Sequence, residues 1–170
     1  IQLDSITSDS GLRKLVLPAS AHRIDINGHL RNAKIDAGFV DKLIVRRGGI
    51  GKITIKNRFL KDDEDFFYED EVGVGSIYCT GSIASIRVAG GIIGNEFEDE
   101  VAEIVVVNGD IGVVKSSVMK KRVIDEDGDV WFYIAGGHIW ASIRADGNIG
   151  KVLAKGGDIG NPFMRDFGDP

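Results

Sequence analysis

The sequence has few of the residues that cross-link small domains or interrupt strands. A single cysteine, Cys79, among 170 residues excludes an internal disulfide framework. Only three prolines are present, and no apolar run approaches the roughly 20 residues that span a bilayer, so no membrane span is expected. The formal net charge of −5 gives no basic footprint. We therefore expect no nucleic-acid partner.

Glycine, by contrast, is abundant, with 23 residues at fixed offsets from aliphatic side chains. The clearest unit is "GGIGKITI" (48–55), in which Ile50, Ile53 and Ile55 are spaced +3 and +2 and Gly48 stands two residues ahead. The same spacing recurs ten and twenty residues upstream, as Val40, Leu43 and Val45, and as Leu30, Ala33 and Ile35. It continues, with interruptions, along most of the chain.

The spacing predicts an all-β chain made of units of nine to ten residues. A +2 spacing places two side chains on one face of a strand, and the +3 spacing before it indicates a bend. Glycines occupy that bend, where they reach positive φ angles without a Cβ clash: Gly51, Gly112, Gly150 and Gly160. Such units are too small to stand alone, which favours a parallel β-solenoid (β-helix) of stacked units. An antiparallel sandwich or meander is the alternative, and the number of units per turn, two or three, stays open.

One unit departs from the spacing. After Ile139 the expected apolar positions are Ser142 and Arg144, whereas the alternation Ala141, Ile143, Ala145 fits better. This predicts a local slip or bulge.

The runs "GGIGKITI", "GSIASIRVAGGIIG" (81–94) and "GNIGKVLAKGGDIG" (147–160) resemble the glycine-rich repeats of parallel β-helix domains in large bacterial surface and secreted proteins. The resemblance covers most of the chain outside the interruptions, and it implies a location outside the cell or on its surface. A second resemblance is to the bactofilins, cytoskeletal β-helices that polymerise end to end.

We expect a single domain over 1–170 with insertions at about 57–73, 94–103 and 118–134. The first two are acidic, and the third has the pattern of a hairpin with an "EDGD" turn. Insertions in a solenoid leave from corners and often form a binding side. The stretch 161–170 departs from the repeat and is interpreted as a C-terminal cap.

Two ligand sites are considered on these insertions. Asp125, Asp127 and Asp129 alternate around Gly128, which suits either a calcium site or a solvated Asp-Gly turn. Calcium is the only cofactor indicated. Five aromatic residues are candidates for stacking on a glycan or for packing the insertions onto the body: Phe66, Phe67, Tyr68, Trp131 and Tyr133.

No catalytic motif is present in the sequence. The three histidines belong to no HExxH or paired Cys/His pattern, and we expect His29 and His138, which share one repeat position, to point outward. We therefore predict no catalytic residues, which favours a protein that is not an enzyme.

The function expected is that of a non-catalytic structural or interaction module, a spacer or scaffold segment of a larger bacterial surface or secreted protein. The chain starts at Ile1 without a methionine, and we expect a processed or excised form. Its partners would be copies of itself or neighbouring domains. The alternative is a carbohydrate-binding or carbohydrate-active β-helix module that uses the aromatic and acidic insertions.

Overall fold

The computed structural model describes residues 2–36, 38–57, 72–95, 101–124 and 127–160. These residues form fourteen strands and no helix, so no helix among them could cross a membrane. The all-β prediction is confirmed. The strands are β1 (Gln2–Ser8), β2 (Leu15–Leu17), β3 (Ser20–Asn27), β4 (Leu30–Asp36), β5 (Phe39–Arg46), β6 (Ile50–Lys56), β7 (Gly73–Cys79), β8 (Ile83–Ala89), β9 (Ile92–Gly94), β10 (Ala102–Val106), β11 (Ile111–Ile124), β12 (Val130–Gly136), β13 (Ile139–Ala145) and β14 (Ile149–Lys155).

From β1 to β9, successive strands alternate between two sheets. The first sheet contains β1, β3, β5, β7, β9, β10 and β13, and the second contains β2, β4, β6, β8, β11, β12 and β14. Each of β1 to β6 therefore pairs with the strand two places further along the chain. Among the described strands all pairs are parallel except β11 with β12, which excludes the antiparallel sandwich.

The apolar positions of the sequence pattern line up across the strands and face the space between the sheets. In the first sheet Ile24 pairs with Leu43, Leu43 with Ile77, and Ile77 with Ile104. In the second sheet the corresponding row is Ala33, Ile53, Ile86 and Val114. All eight side chains are at most 3% exposed. We call such rows aliphatic ladders. They form the core because each side chain covers its neighbours in the strands on either side.

The glycines after the first isoleucine of a unit serve a different purpose from the one predicted. Gly51, Gly112 and Gly150 lie within strands and are not among the residues with positive φ. A Cβ on Gly51 would lie 2.3 Å from the carbonyl oxygen of Arg31 in the neighbouring strand, and one on Gly112 would lie 2.4 Å from that of Ala84. Close approach of the backbones therefore requires glycine there. Only Gly160, with φ of 123°, fits the original explanation.

The slip predicted after Ile139 is present. Ala141, Ile143 and Ala145 pair with Ala102, Ile104 and Val106, and they pack against the core in place of Ser142 and Arg144. The unit is thus one residue longer between its first and second inward positions.

Two insertions leave from strands, so the expectation that they leave from corners is wrong for them. β9 and β10 pair with the two halves of β13, and the chain between them interrupts what would otherwise be one strand. β11 pairs with β8 through Ser117 and then runs on as the outbound strand of the predicted hairpin, where Val118 pairs with Gly136 and Ile124 with Val130. Residues 58–71 and 161–170, which contain most of the first insertion and the expected cap, lie outside the described residues.

Removing one side chain from the middle of a ladder should destabilise the whole protein. Ile53 is fully buried, and we expect Ile53→Ala to lower the free energy of unfolding by about 2–5 kcal/mol, through lost burial and the cavity that remains. Thr54→Ala, one position along on the outward face, should change it by less than about 1 kcal/mol. Urea denaturation measures both. Equal losses for the two variants would contradict the assignment of inward and outward faces.

Candidate functional site

The hairpin arm formed by residues 118–136 of β11 and β12 is the most exposed apolar feature of the described chain. Residues directly opposite each other in the two strands share a face of the arm. One face pairs Ile124 with Val130, Arg122 with Phe132, and Lys120 with Ile134. The four apolar side chains of this face are 46–62% exposed.

This face accounts for four of the ten large apolar side chains that are exposed in the described residues. On β12 an apolar side chain stands at every second position of this face, and the two cations of β11 stand opposite Phe132 and Ile134. Such a surface suits contact with a partner that offers both apolar area and negative charge.

Of the five aromatic residues predicted to bind a ligand, the structure covers only two. Phe66, Phe67 and Tyr68 lie outside the described residues. Trp131 and Tyr133 belong to β12, where they pair with Val123 and Lys121, and their side chains are not described. Phe132, which was not selected from the sequence, is 62% exposed.

The predicted calcium site is only partly covered by the structure. Asp127 and Asp129 are exposed in the turn between β11 and β12, whereas Asp125 lies outside the described residues. Among the residues that are described, no group of three or more His, Cys, Asp or Glu side chains is arranged to hold a metal ion. Calcium at this turn stays a prediction.

The histidines at the shared repeat position act as structural acceptors. The backbone N–H of Gly49 donates to Nδ1 of His29 at 3.0 Å, and that of Asp158 donates to Nδ1 of His138 at 3.1 Å. In both cases the donor lies 20 residues further along the chain, so each histidine binds the unit two places further along. The third histidine, His22, contacts Asp41 with its Nδ1 2.6 Å from Oδ2. The sequence showed that His29 and His138 share a repeat position, but it did not predict their hydrogen bonds to backbone N–H groups.

Cys79 is also part of the core. It is fully buried in an aliphatic ladder, and its Sγ donates to the carbonyl oxygen of Gly48 at 3.3 Å. Burial raises the pKa of the thiol, which disfavours the reactive thiolate.

Two open grooves occur on the described surface. One, of about 790 Å³, follows the corners beside His29, Arg31, Arg47 and Ser82 and is lined largely by glycine backbone. The other, of about 700 Å³, lies beside Tyr78, Glu103, Arg144 and Asp146. The guanidinium of Arg144 pairs with Glu103. Neither groove is lined by a cysteine, and only the first contains a histidine, which already accepts a backbone hydrogen bond.

Comparison with known proteins gives no relative: no protein-family model, curated protein or solved structure matches this chain.

The outer face of the first sheet holds an ion-pair cluster around Asp25. Arg46 binds the carboxylate in a bidentate fashion, with Nε and Nη2 each 3.0 Å from an oxygen, and Nη2 of Arg23 lies 2.9 Å from Oδ2. The hydrogen bonds from Arg46, opposed by partial burial and assisted by Arg23, lower the pKa of Asp25 below its ordinary value of 3.8.

This shift predicts how acid acts on stability. A carboxyl whose folded pKa is lowered contributes stability above its unfolded pKa and loses it as the pH falls through the folded value. We expect the free energy of unfolding, measured with urea, to fall more steeply in the parent than in Asp25→Asn as the pH drops below about 4. Asp9→Asn, which removes an exposed carboxyl, should keep the parent's slope. Identical slopes for all three proteins would contradict the assigned ion pairs.

Proposed function

We propose that this chain is a β-solenoid that acts as a non-catalytic structural and interaction module, a spacer or scaffold segment of a larger bacterial surface or secreted protein. The observation that carries the proposal is the division of the strands between two largely parallel sheets, with aliphatic ladders continuous from β3 to β11. From β1 to β8 each unit pairs with the unit two places away, so that stacked units contact their neighbours in the array as in repeat proteins generally.

The use of the reactive side chains supports a non-catalytic role. Cys79 packs in the core, and His29 and His138 accept backbone hydrogen bonds from the unit two places further along the chain. Side chains that commonly serve as nucleophile or general base thus maintain the stacking of the units.

The two ends of the stack support self-association as the mode of action. At one end Leu3 of β1 is 37% exposed, and at the other Ile149 of β14 is 42% exposed. Both occupy ladder positions, since Leu3 pairs with Ala21 and Ile149 with Ile111. A head-to-tail contact would extend the ladders and pair strands that lie at the sheet edges.

Sedimentation velocity over a concentration series tests this mode. We expect the parent protein to grow into longer species as its concentration rises. Ile149→Lys should remain small, because a charge at the end of a ladder must be desolvated for the next copy to stack. Ile134→Lys, an exposed isoleucine on the hairpin arm, is the matched control and should behave as the parent does. A parent that stays monomeric at every concentration would contradict self-association through the ends.

A second candidate function is carbohydrate binding by the insertions, and the exposed Phe132 beside Arg122 favours it. Aromatic and cationic side chains together suit a sugar ring that carries hydroxyl groups. Retention of a neutral glycan that is lost on replacement of Trp131 or Phe132 by alanine would support this candidate, and a glycan screen without binding would reject it.

A further inference from the structure

Seven cations occupy outward positions of the second sheet. Each alternates with a ladder residue that is buried or packs against the core, so its side chain projects away from the core. For example, Lys52 precedes the buried Ile53, and Arg87 stands between the buried Ile86 and Val88. We call this surface the cationic face, and its members are Lys34, Lys52, Lys56, Arg87, Lys115, Lys151 and Lys155.

Strand pairing arranges these cations in rows across the sheet. Arg87 and Lys115 are direct partners in neighbouring strands, about 5 Å apart at the backbone. Lys52 and Lys151 occupy a second row, connected through Ser85 and Val113. Like charges placed directly opposite each other destabilise a sheet. An anion bound across these rows would relieve that repulsion.

Among the described residues of this sheet, one outward carboxylate supplies the negative charge. Asp36 has only 12% of its side chain exposed, and it accepts a hydrogen bond from Nζ of Lys34 at 2.7 Å. Among the described residues the other six cations of the face form no ion pair.

The first sheet shows that this fold can neutralise its outward charges. There Arg23 and Arg46 pair with Asp25, and Arg144 pairs with Glu103. The contrast between the sheets indicates that the second sheet leaves its cations available for a ligand.

The cationic face corrects the expectation, drawn from the net charge, that the chain has no basic footprint. More than half of the 26 acidic residues lie in stretches outside the described residues, namely 58–71, 96–100, 125–126 and 161–170. The whole-chain charge of −5 therefore conceals a strongly positive sheet.

We propose that the cationic face binds a linear acidic polysaccharide through the carboxylates of its sugar units. Within a row, single positive charges lie on neighbouring strands or several strands apart. This arrangement suits a polysaccharide that carries one anion on each sugar. Between the cations stand Thr54 and Ser85, whose hydroxyl groups can hydrogen-bond to sugar hydroxyls.

The composition of the face argues against nucleic acid and membrane. The outward positions of β4, β6, β8, β11 up to Ser117, and β14 include no aromatic side chain on which a base could stack or that could anchor at a lipid interface.

The test is binding of the full chain to polygalacturonate, with dextran, a 20-base-pair DNA duplex and phosphatidylglycerol vesicles as the other probes. We expect binding to polygalacturonate in about 50 mM salt that weakens as salt rises. The triple variant Lys52→Gln, Arg87→Gln, Lys115→Gln should bind at least about tenfold more weakly, because three of the seven cations are lost.

The matched control is Arg23→Gln, Lys42→Gln, Arg144→Gln, which removes the same number of positive charges from the first sheet. It should bind within about twofold of the parent. Circular dichroism confirms that both variants are folded. The salt dependence of the parent supplies a readout that needs no variant.

Three results would overturn the proposal. These are no preference for polygalacturonate over dextran, tighter binding of duplex DNA or vesicles than of polygalacturonate, or a greater loss of binding in the control triple than in the test triple. Failure of the chain to self-associate would leave this inference intact, since the cationic face lies on the side of the stack and not at its ends.

Discussion

Stacking of aliphatic side chains in register between parallel strands is the interaction on which the rest of the structure depends. Each ladder residue covers the one before it, so Ile53 is shielded by Ala33 on one side and Ile86 on the other. A unit of ten residues with three inward side chains cannot offset its own conformational entropy. Burial shared between neighbouring units makes the array stable where the single unit is not.

The ladders also fix everything that points outward. Side chains in a strand alternate between faces, so a register that places Ile86 and Val88 inward necessarily places Arg87 outward. The parallel pairing then brings Arg87 beside Lys115. The cationic face is therefore a direct consequence of the core register, with charges held at positions that a flexible loop could not maintain.

Glycine and histidine residues assist the stacking at particular positions. Glycine occurs where a side chain would not fit, and histidine occurs where its side chain supplies a hydrogen bond. Gly51 lies so close to the carbonyl of Arg31 that no Cβ fits between the strands. At the corners the imidazole of His29 accepts the N–H of Gly49, which would otherwise lack a strand partner. Both features repeat along the chain, in Gly112 and in His138.

The ladders could be predicted from the sequence because +3 and +2 spacings leave few other arrangements for Ile50, Ile53 and Ile55. The reason for the glycine at position 51 could not be predicted from the sequence, because a positive φ angle and a close approach of two backbones both favour glycine. The strand contacts show that the pairing repeats every two units. The spacing of the apolar residues alone does not specify this number.

The candidate surfaces were harder to predict than the core. The hairpin arm was expected from "EDGD", but its exposed Phe132 was not among the residues first selected. The cationic face was missed because its charges are spread over five strands, and acidic stretches elsewhere outweigh them in the sum.

The most direct test of the ladders is a methyl–methyl nuclear Overhauser measurement on protein labelled at the Ile δ1 and Ala β methyl groups. The account predicts contacts from Ile53 to both Ala33 and Ile86, since the three are successive members of one ladder. Contacts from Ile53 that exclude Ala33 and Ile86 would contradict the register, and with it the placement of every outward side chain on the second sheet.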